Sequence, residues 1–172
     1  MKPSLVIIGA GRHGRIVAEA ARESGKFPTI AFADDNTPPG TLIDGIPVLG
    51  GWRDIAGETF VIAIGDNPVR EKIHGMLVAS AKNLATVISP RAHVSPGAEI
   101  GAGTVILAGA CIQAGATIGD NVVVNIGVLA DHDAVVGAHA NVAPGCVLAC
   151  FARVERGERL APGTVRGGTP PA

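Results

Sequence analysis

The chain has 172 residues, of which 47% are hydrophobic and only 3% aromatic, and its formal net charge is −1. That length accommodates one or two domains, and the near-zero charge removes the electrostatic case for nucleic-acid binding. No stretch reaches the ~20 apolar residues needed to span a bilayer, and the apolar run from Leu5 to Ala10 is too short for a signal segment, so a cytoplasmic protein without membrane insertion is expected.

Leu5-Val6-Ile7-Ile8 reads as a buried strand, Gly9-Ala10-Gly11-Arg12-His13-Gly14 as a tight glycine turn, and Arg15 to Ser24 as a helix closed by Gly25. A second strand from Thr29 to Ala33 ends in Asp34-Asp35, and Asn36 to Gly40 form a surface loop. A third strand from Thr59 to Ile64 leads into Gly65-Asp66-Asn67-Pro68, where Pro68 suits the first turn of a helix running through Ala81. Strands alternating with helices predict a small parallel α/β sheet over residues 1–82, a half-Rossmann βαβαβ module. Residues 83–87 read as a join.

Gly9, Gly11 and Gly14 fit G-x-G-x-x-G between strand and helix, with Asp34 and Asp35 about 20 residues further on. Glycines admit a phosphate close to the backbone, the helix N-terminus attracts its charge, and an acid at the next strand end can meet a ribose or base. One βαβαβ half suits a mononucleotide better than a dinucleotide. The same glycines could instead only pack helix on strand.

From Ile88 a six-residue frame runs to Leu160: Ile88, Val94, Ile100, Ile106, Ile112, Ile118, Val124, Ala130, Val136, Val142, Leu148, Val154, Leu160. Four residues after each stands a small or β-branched residue, Glu158 excepted. Such hexads cannot bury their apolar faces singly and stack into a parallel β-helix, three to a coil, so residues 83–172 are predicted to form a little over four coils. The narrow interior takes Ile, Val and Ala better than rings, which explains the shortage of aromatics. Cys111, Cys146 and Cys150 have no CxxC spacing and are odd in number, so neither zinc nor a disulfide framework is predicted. Cys146 falls on an inward position.

One polar constellation interrupts the frame: Asn125, then Asp131-His132-Asp133, then His139 and Asn141. A histidine beside a carboxylate can act as general base, the acid orienting the ring and stabilising the imidazolium. No serine or cysteine adjoins the pair in sequence, so its nucleophile would come with the substrate.

The glycine turn, Phe32-Ala33-Asp34-Asp35, the segment Ala63-Ile64-Gly65-Asp66-Asn67-Pro68-Val69-Arg70, Asn125, and Asp131-His132-Asp133 followed by Val142-Ala143-Pro144-Gly145 resemble the PglD/NeuD-type bacterial sugar acetyltransferases, from Leu5 to about Gly145. The resemblance implies a left-handed β-helix, a homotrimer with active sites between subunits, acetyl-CoA as donor, and no metal. It further implies a nucleotide-linked amino sugar as acceptor, of the UDP-4-amino-4,6-dideoxy type. Carried over, Gly9, Gly11, His13 and Gly14 would line the phosphates, Asp34 and Asp35 would meet the nucleoside, and Gly65 would border the same pocket. His132 would take the amine proton with Asp133 holding its ring. Backbone N–H groups near Cys150 would stabilise the oxyanion, each such donor contributing roughly 3 kcal/mol. Asn141, standing where many relatives have a second histidine, joins Cys150 on the acetyl-CoA side. Relatives usually continue for further coils that help hold CoA, and their glycine-rich thioester-side turn is Leu148-Ala149-Cys150-Phe151 here. Two alternatives stand beside this reading: O-acetylation of sialic acid or a related glycan unit, and a nonenzymatic trimeric scaffold that binds a nucleotide sugar.

Overall fold

In the computed structural model, which describes residues 3–55 and 59–170, the outermost residues of both expected domains, 1–2 and 171–172, lie outside the described range. Strand β1 (Leu5–Ile8) leads into α1 (Arg12–Glu23) and β2 (Ile30–Ala33), then a short antiparallel hairpin, β3 (Leu42–Ile43) and β4 (Ile46–Pro47). Next come β5 (Thr59–Ile62), α2 (Asn67–Ala79) and β6 (Asn83–Leu84). One parallel sheet has the order β2-β1-β5-β6. Every residue of β1 is buried, as a strand covered on both faces requires. Leu5 and Ile7 face α1 through Val17 and Ala21, while Val6 and Ile8 face α2 through Ile73 and Leu77.

Two features differ from the sequence reading. The helix α1 begins at Arg12 rather than Arg15, with Gly11 at its N-cap, so Gly14 lies inside the first turn. A Cβ on Gly14 would collide with the Gly9 carbonyl oxygen, so this glycine lets the helix sit directly on the end of β1. The expected join at 83–87 contains β6 and the first strand of the next domain. Ala85, Val87, Val105 and Leu107 pack into the same apolar cluster as Leu5 and Val17, so the two halves share a core instead of meeting through a linker.

From Val87 onward, two-residue strands recur in a parallel solenoid in which Val105 pairs with Val123, Cys111 with Leu129 and Thr117 with Val135, one coil apart. They build three faces. The first carries Val123–Val124 and Asn141–Val142, the second Leu129–Ala130 and Val147–Leu148, the third Val135–Val136 and Arg153–Val154. The framed aliphatics from Ile106 to Leu160 are buried together with Ala110, Ala116, Val122, Val128 and Cys146; burying each such Ile, Val or Leu contributes about 1.5–3 kcal/mol.

The frame extends one step past Leu160, through a further strand, Val165–Arg166, on the second face. There the inward position is Arg166, whose guanidinium grips the Glu158 carboxylate at 2.7 and 2.9 Å. Glu158, the exception among the small positions, and Arg166 thus cap the apolar interior as an ion pair. That hydrogen-bonded pairing holds Glu158 below the usual carboxylate range.

A second six-residue register runs through the corners, which turn through left-handed backbone at Gly103, Gly109, Gly115, Asn121, Gly127, Asp133, His139, Gly145, Phe151, Gly157 and Gly163. Glycine takes this conformation freely, whereas other residues there are strained by on the order of 1 kcal/mol. Asn121, Asp133, His139 and Phe151 accept that strain, and all four belong to polar sites described below.

Candidate functional site

At the carboxyl end of the sheet the chain reverses between β1 and β5, the crevice where open α/β sheets bind ligands. A cleft of about 330 Å³ is lined there by Gly9, Asp34, Asp35, Asn36, Trp52, Arg53, Ile64 and Lys72 among others. Asp34 serves largely as a pin. Its Oδ2 accepts from the Ala10 N–H at 2.9 Å, and its Oδ1 from the Asn36 N–H and the Thr37 hydroxyl, which fastens the glycine turn to the end of β2. Asp35 pairs with Arg53 at 2.9 Å, and Arg53 in turn lies over the Trp52 ring. Gly9 has φ +103° and a Cβ there would press on the Ala63 carbonyl. Gly11 faces open space, so of the three glycines it is the one that a ligand can approach freely.

His13 and Gly65 open into a neighbouring cleft of about 520 Å³, together with Asn125, Asn141, Pro144 and Arg159 of the solenoid. Burial, with Arg70 nearby, pushes the His13 pKa down to about 4, so the ring is neutral at physiological pH. Its Nε2 is buried and has no hydrogen-bond partner among the described residues. Asn141 donates weakly to the Gly65 carbonyl at 3.4 Å. Asn141 therefore sits with His13 and Gly65 rather than beside Cys150, with which the sequence reading had grouped it.

Behind this cleft the two domains are fastened by Arg70 of α2, which is completely buried. Its guanidinium donates to the carbonyls of Ile64 (3.0 Å), Asn121 (3.1 Å), His139 (2.6 Å) and Ala140 (3.2 Å). Burial lowers its pKa to about 10, leaving it charged at neutral pH with four carbonyl dipoles in place of a carboxylate. Asn121 donates to the Arg70 carbonyl and to the Nδ1 of His139, whose ring meets His74 edge-on. Asn67 adds bonds to the carbonyls of Gly157 and Glu158. His139, grouped with the polar constellation on sequence, belongs to this latch.

The remaining residues meet at the edge between the second and third faces. His132 Nδ1 lies 2.8 Å from Asp133 Oδ2, and both side chains are about half exposed. The hydrogen bond to Asp133 holds the His132 pKa above the ordinary imidazole value, with the Asp131 charge adding to the effect. Phe151 stands edge-on to the imidazole, ring centres 5.5 Å apart. A Cβ on Gly115, one coil earlier, would collide with Asp133 Oδ1, so this glycine is what allows the carboxylate to lie across the coil. One coil later the Phe151 N–H bonds the His132 carbonyl, while among the described residues the Cys150 N–H has no acceptor. An imidazole, a carboxylate bonded to it and an unengaged amide donor thus lie at the same edge.

Residues 4–77 match the family profile of the PglD N-terminal domain. The chain is 34% identical to the acetyltransferase domain of PglB from Neisseria gonorrhoeae, solved with acetyl coenzyme A, covering 96% of this chain and 82% of that one with a TM-score of 0.89. This chain belongs to the PglD/NeuD-type sugar acetyltransferases. Members of this family join such an α/β module to a left-handed β-helix. A histidine-to-asparagine variant of perosamine N-acetyltransferase from Caulobacter crescentus, solved with CoA and GDP-perosamine, is 32% identical over 96% of this chain and 83% of that one, TM-score 0.79. WeeI from Acinetobacter baumannii is 27% identical over 96% and 82%, TM-score 0.87. A search of curated protein sequences returns no match to this chain.

Within one copy of this acetyltransferase the expected site residues fall into three groups. Gly9, Asp34 and Asp35 share the smaller cleft, His13, Gly65 and Asn141 the larger one, and His132, Asp133 and Cys150 the solenoid edge, while Gly11 and Gly14 line neither cleft. Trp52, Lys72, Asn121 and Gly115 escaped the sequence reading, and Arg70 entered it only as the end of a family motif. Asn121 was findable, because it breaks the glycine corner register just as Asp133 does. Lys72 and Trp52 lie on segments with no motif and reach the cleft only by packing.

Proposed function

We propose that the chain transfers the acetyl group of acetyl-CoA to the amine of a nucleotide-linked amino sugar, in surface-glycan synthesis, with His132 as general base. The observation that carries this reading is the solenoid edge: an imidazole held 2.8 Å from Asp133 beside an unengaged Cys150 N–H. The relatives crystallised with acetyl coenzyme A and with CoA plus GDP-perosamine support the donor and the class of acceptor. The two clefts suit the two ends of such an acceptor, the nucleoside in the one with Asp34 and Asp35, the sugar in the one with His13 and Asn141. His132 accepts the proton of the attacking amine and returns one to the departing thiol. Asp133 keeps Nε2 in the acceptor tautomer and stabilises the imidazolium, while the Cys150 N–H meets the developing oxyanion.

His132 lies one solenoid face away from the clefts, so the reaction is completed between copies. Ile126, Leu129 and Val165 along that intervening face are 48%, 47% and 74% exposed, an apolar stripe with half-buried Val147 among them. A neighbouring copy packed on this stripe, in a homotrimer, covers it and brings one subunit's His132 to the next subunit's His13 and Asn141. The test is an assay of acetyl-CoA with UDP-, dTDP- and GDP-linked amino sugars, recording thiol release and product mass together with the mass of the assembly. A product acetylated on a hydroxyl would replace the amine acceptor, and nucleotide binding without any CoA binding would leave a scaffold.

A further inference from the structure

We infer that Asp131, His132 and Cys150 form a site for a thiophilic divalent cation of the zinc class at the solenoid edge. A carboxylate oxygen of Asp131, a ring nitrogen of His132 and the Cys150 sulfur all lie within 4.8 Å of one another. No sequence spacing announces this set, because the ligands come from two successive coils. The pairing of Ala130 with Leu148 and the Phe151-to-His132 backbone bond set Cys150 over His132.

Four further features suit a cation. Asp133 already holds His132 Nδ1, the outer carboxylate that metal-ligating histidines ordinarily require. The backbone N–H of His132 occupies Asp131 Oδ1, which leaves the other carboxylate oxygen unengaged. The Cys150 thiol is free and partly accessible. Asp131 and His132 are exposed and Cys150 is partly so, so an ion can enter and keep a fourth position for water. Zinc bonds of about 2.0–2.3 Å place tetrahedral ligands roughly 3.3–3.8 Å apart, within reach of a small rotation of each side chain. The mixed S, N and O set selects zinc-like ions over magnesium or calcium.

A cation here takes the ring lone pair that would otherwise receive the substrate proton, so metal and turnover exclude one another. That consequence rests on the role proposed for His132, whereas the site itself does not. Cobalt titration of the whole chain tests the site: a near-ultraviolet thiolate-to-cobalt band is expected, retained in Cys111→Ser and abolished in Cys150→Ser. Zinc affinity read by competition with a chelating dye should fall at least about tenfold in Cys150→Ser and about tenfold in Asp131→Asn. No band, or a band that survives in Cys150→Ser, overturns the site. Zinc should also inhibit acetyl transfer reversibly by chelation, with each variant compared to its own metal-free rate. Cobalt binding with undiminished turnover would leave the site standing and remove His132 from the reaction instead.

Discussion

Two edges of the same solenoid carry histidines on left-handed corners or beside them, and they have opposite fates. At one edge Asp133 and Phe151 take the strained corners around His132, which stays half exposed with a raised pKa. At the other, Asn121 and His139 take them, and the edge is sealed by α2, with Arg70 fully buried and the His139 pKa lowered by burial and then by Arg156. The local chemistry is similar, and what differs is the cover. A polar break in an apolar repeat marks a place where the solenoid meets something other than itself. In one case that is a neighbouring domain; in the other, on the function proposed above, it is a ligand or another copy.

The contrast can be broken by mutation. His132→Ala should lower kcat by about 10²–10⁴-fold, the usual contribution of a general base, with the urea midpoint unchanged; a variant at wild-type rate would place the base elsewhere. Arg70→Ala should act the other way round, destabilising the chain by about 3–5 kcal/mol because four carbonyls lose their donor in a buried site. Urea titration measures it, and a loss below 1 kcal/mol would show that the latch is ornamental.

Acid should act first through the histidines whose pKa values burial lowers. The unfolded chain protonates His13 near the ordinary value of about 6.5, the folded one only near pH 4. Between those values the unfolded state binds more protons, so stability is full above about pH 6.5 and is lost as pH falls toward 4, by about 3 kcal/mol. Burial lowers His74 and His139 in the same direction. Denaturation midpoints measured across that window should fall with pH, and His13→Gln should flatten the slope. A flat wild-type profile would contradict a neutral, buried His13.

On the open side, Gly115→Ala should cost about 1 kcal/mol for its left-handed backbone. Its new Cβ also pushes the Asp133 carboxylate off the ring, so kcat should fall about tenfold as His132 loses its orientation. The smallest expected effect is on the pH–rate curve. His132 accepts a proton only when neutral, so its raised pKa sets the rising limb above the ordinary imidazole range. Asp133→Asn should move that limb toward lower pH while reducing the plateau, and a limb that stays in place would mean that another group titrates.

Much of the fold was legible because the physics is periodic. The hexad frame requires inward aliphatics from one coil to the next, and β1, β2 and β5 follow from strands and helices in alternation, whereas the β3–β4 hairpin and β6 carry no such pattern. His132 and Asp133 were legible because they adjoin in sequence and face outward. The start of α1 was misplaced because Gly14, a poor helix former, is tolerated there for its close approach to Gly9. Glu158 looked like a defect until Arg166, eight residues further on, closed on it.

By itself, then, the sequence determined the α/β module, the stacked coils, and the residue types at His132 and Asp133, since each depends on patterns a few residues long. Tertiary structure alone decided that His139 is a strut while His132 is free. It also decided that Asp34 pins a turn, and that Cys150 stands over Asp131 and His132. Those outcomes depend on which surfaces cover one another across a coil or a domain boundary, and no local spacing records such distances.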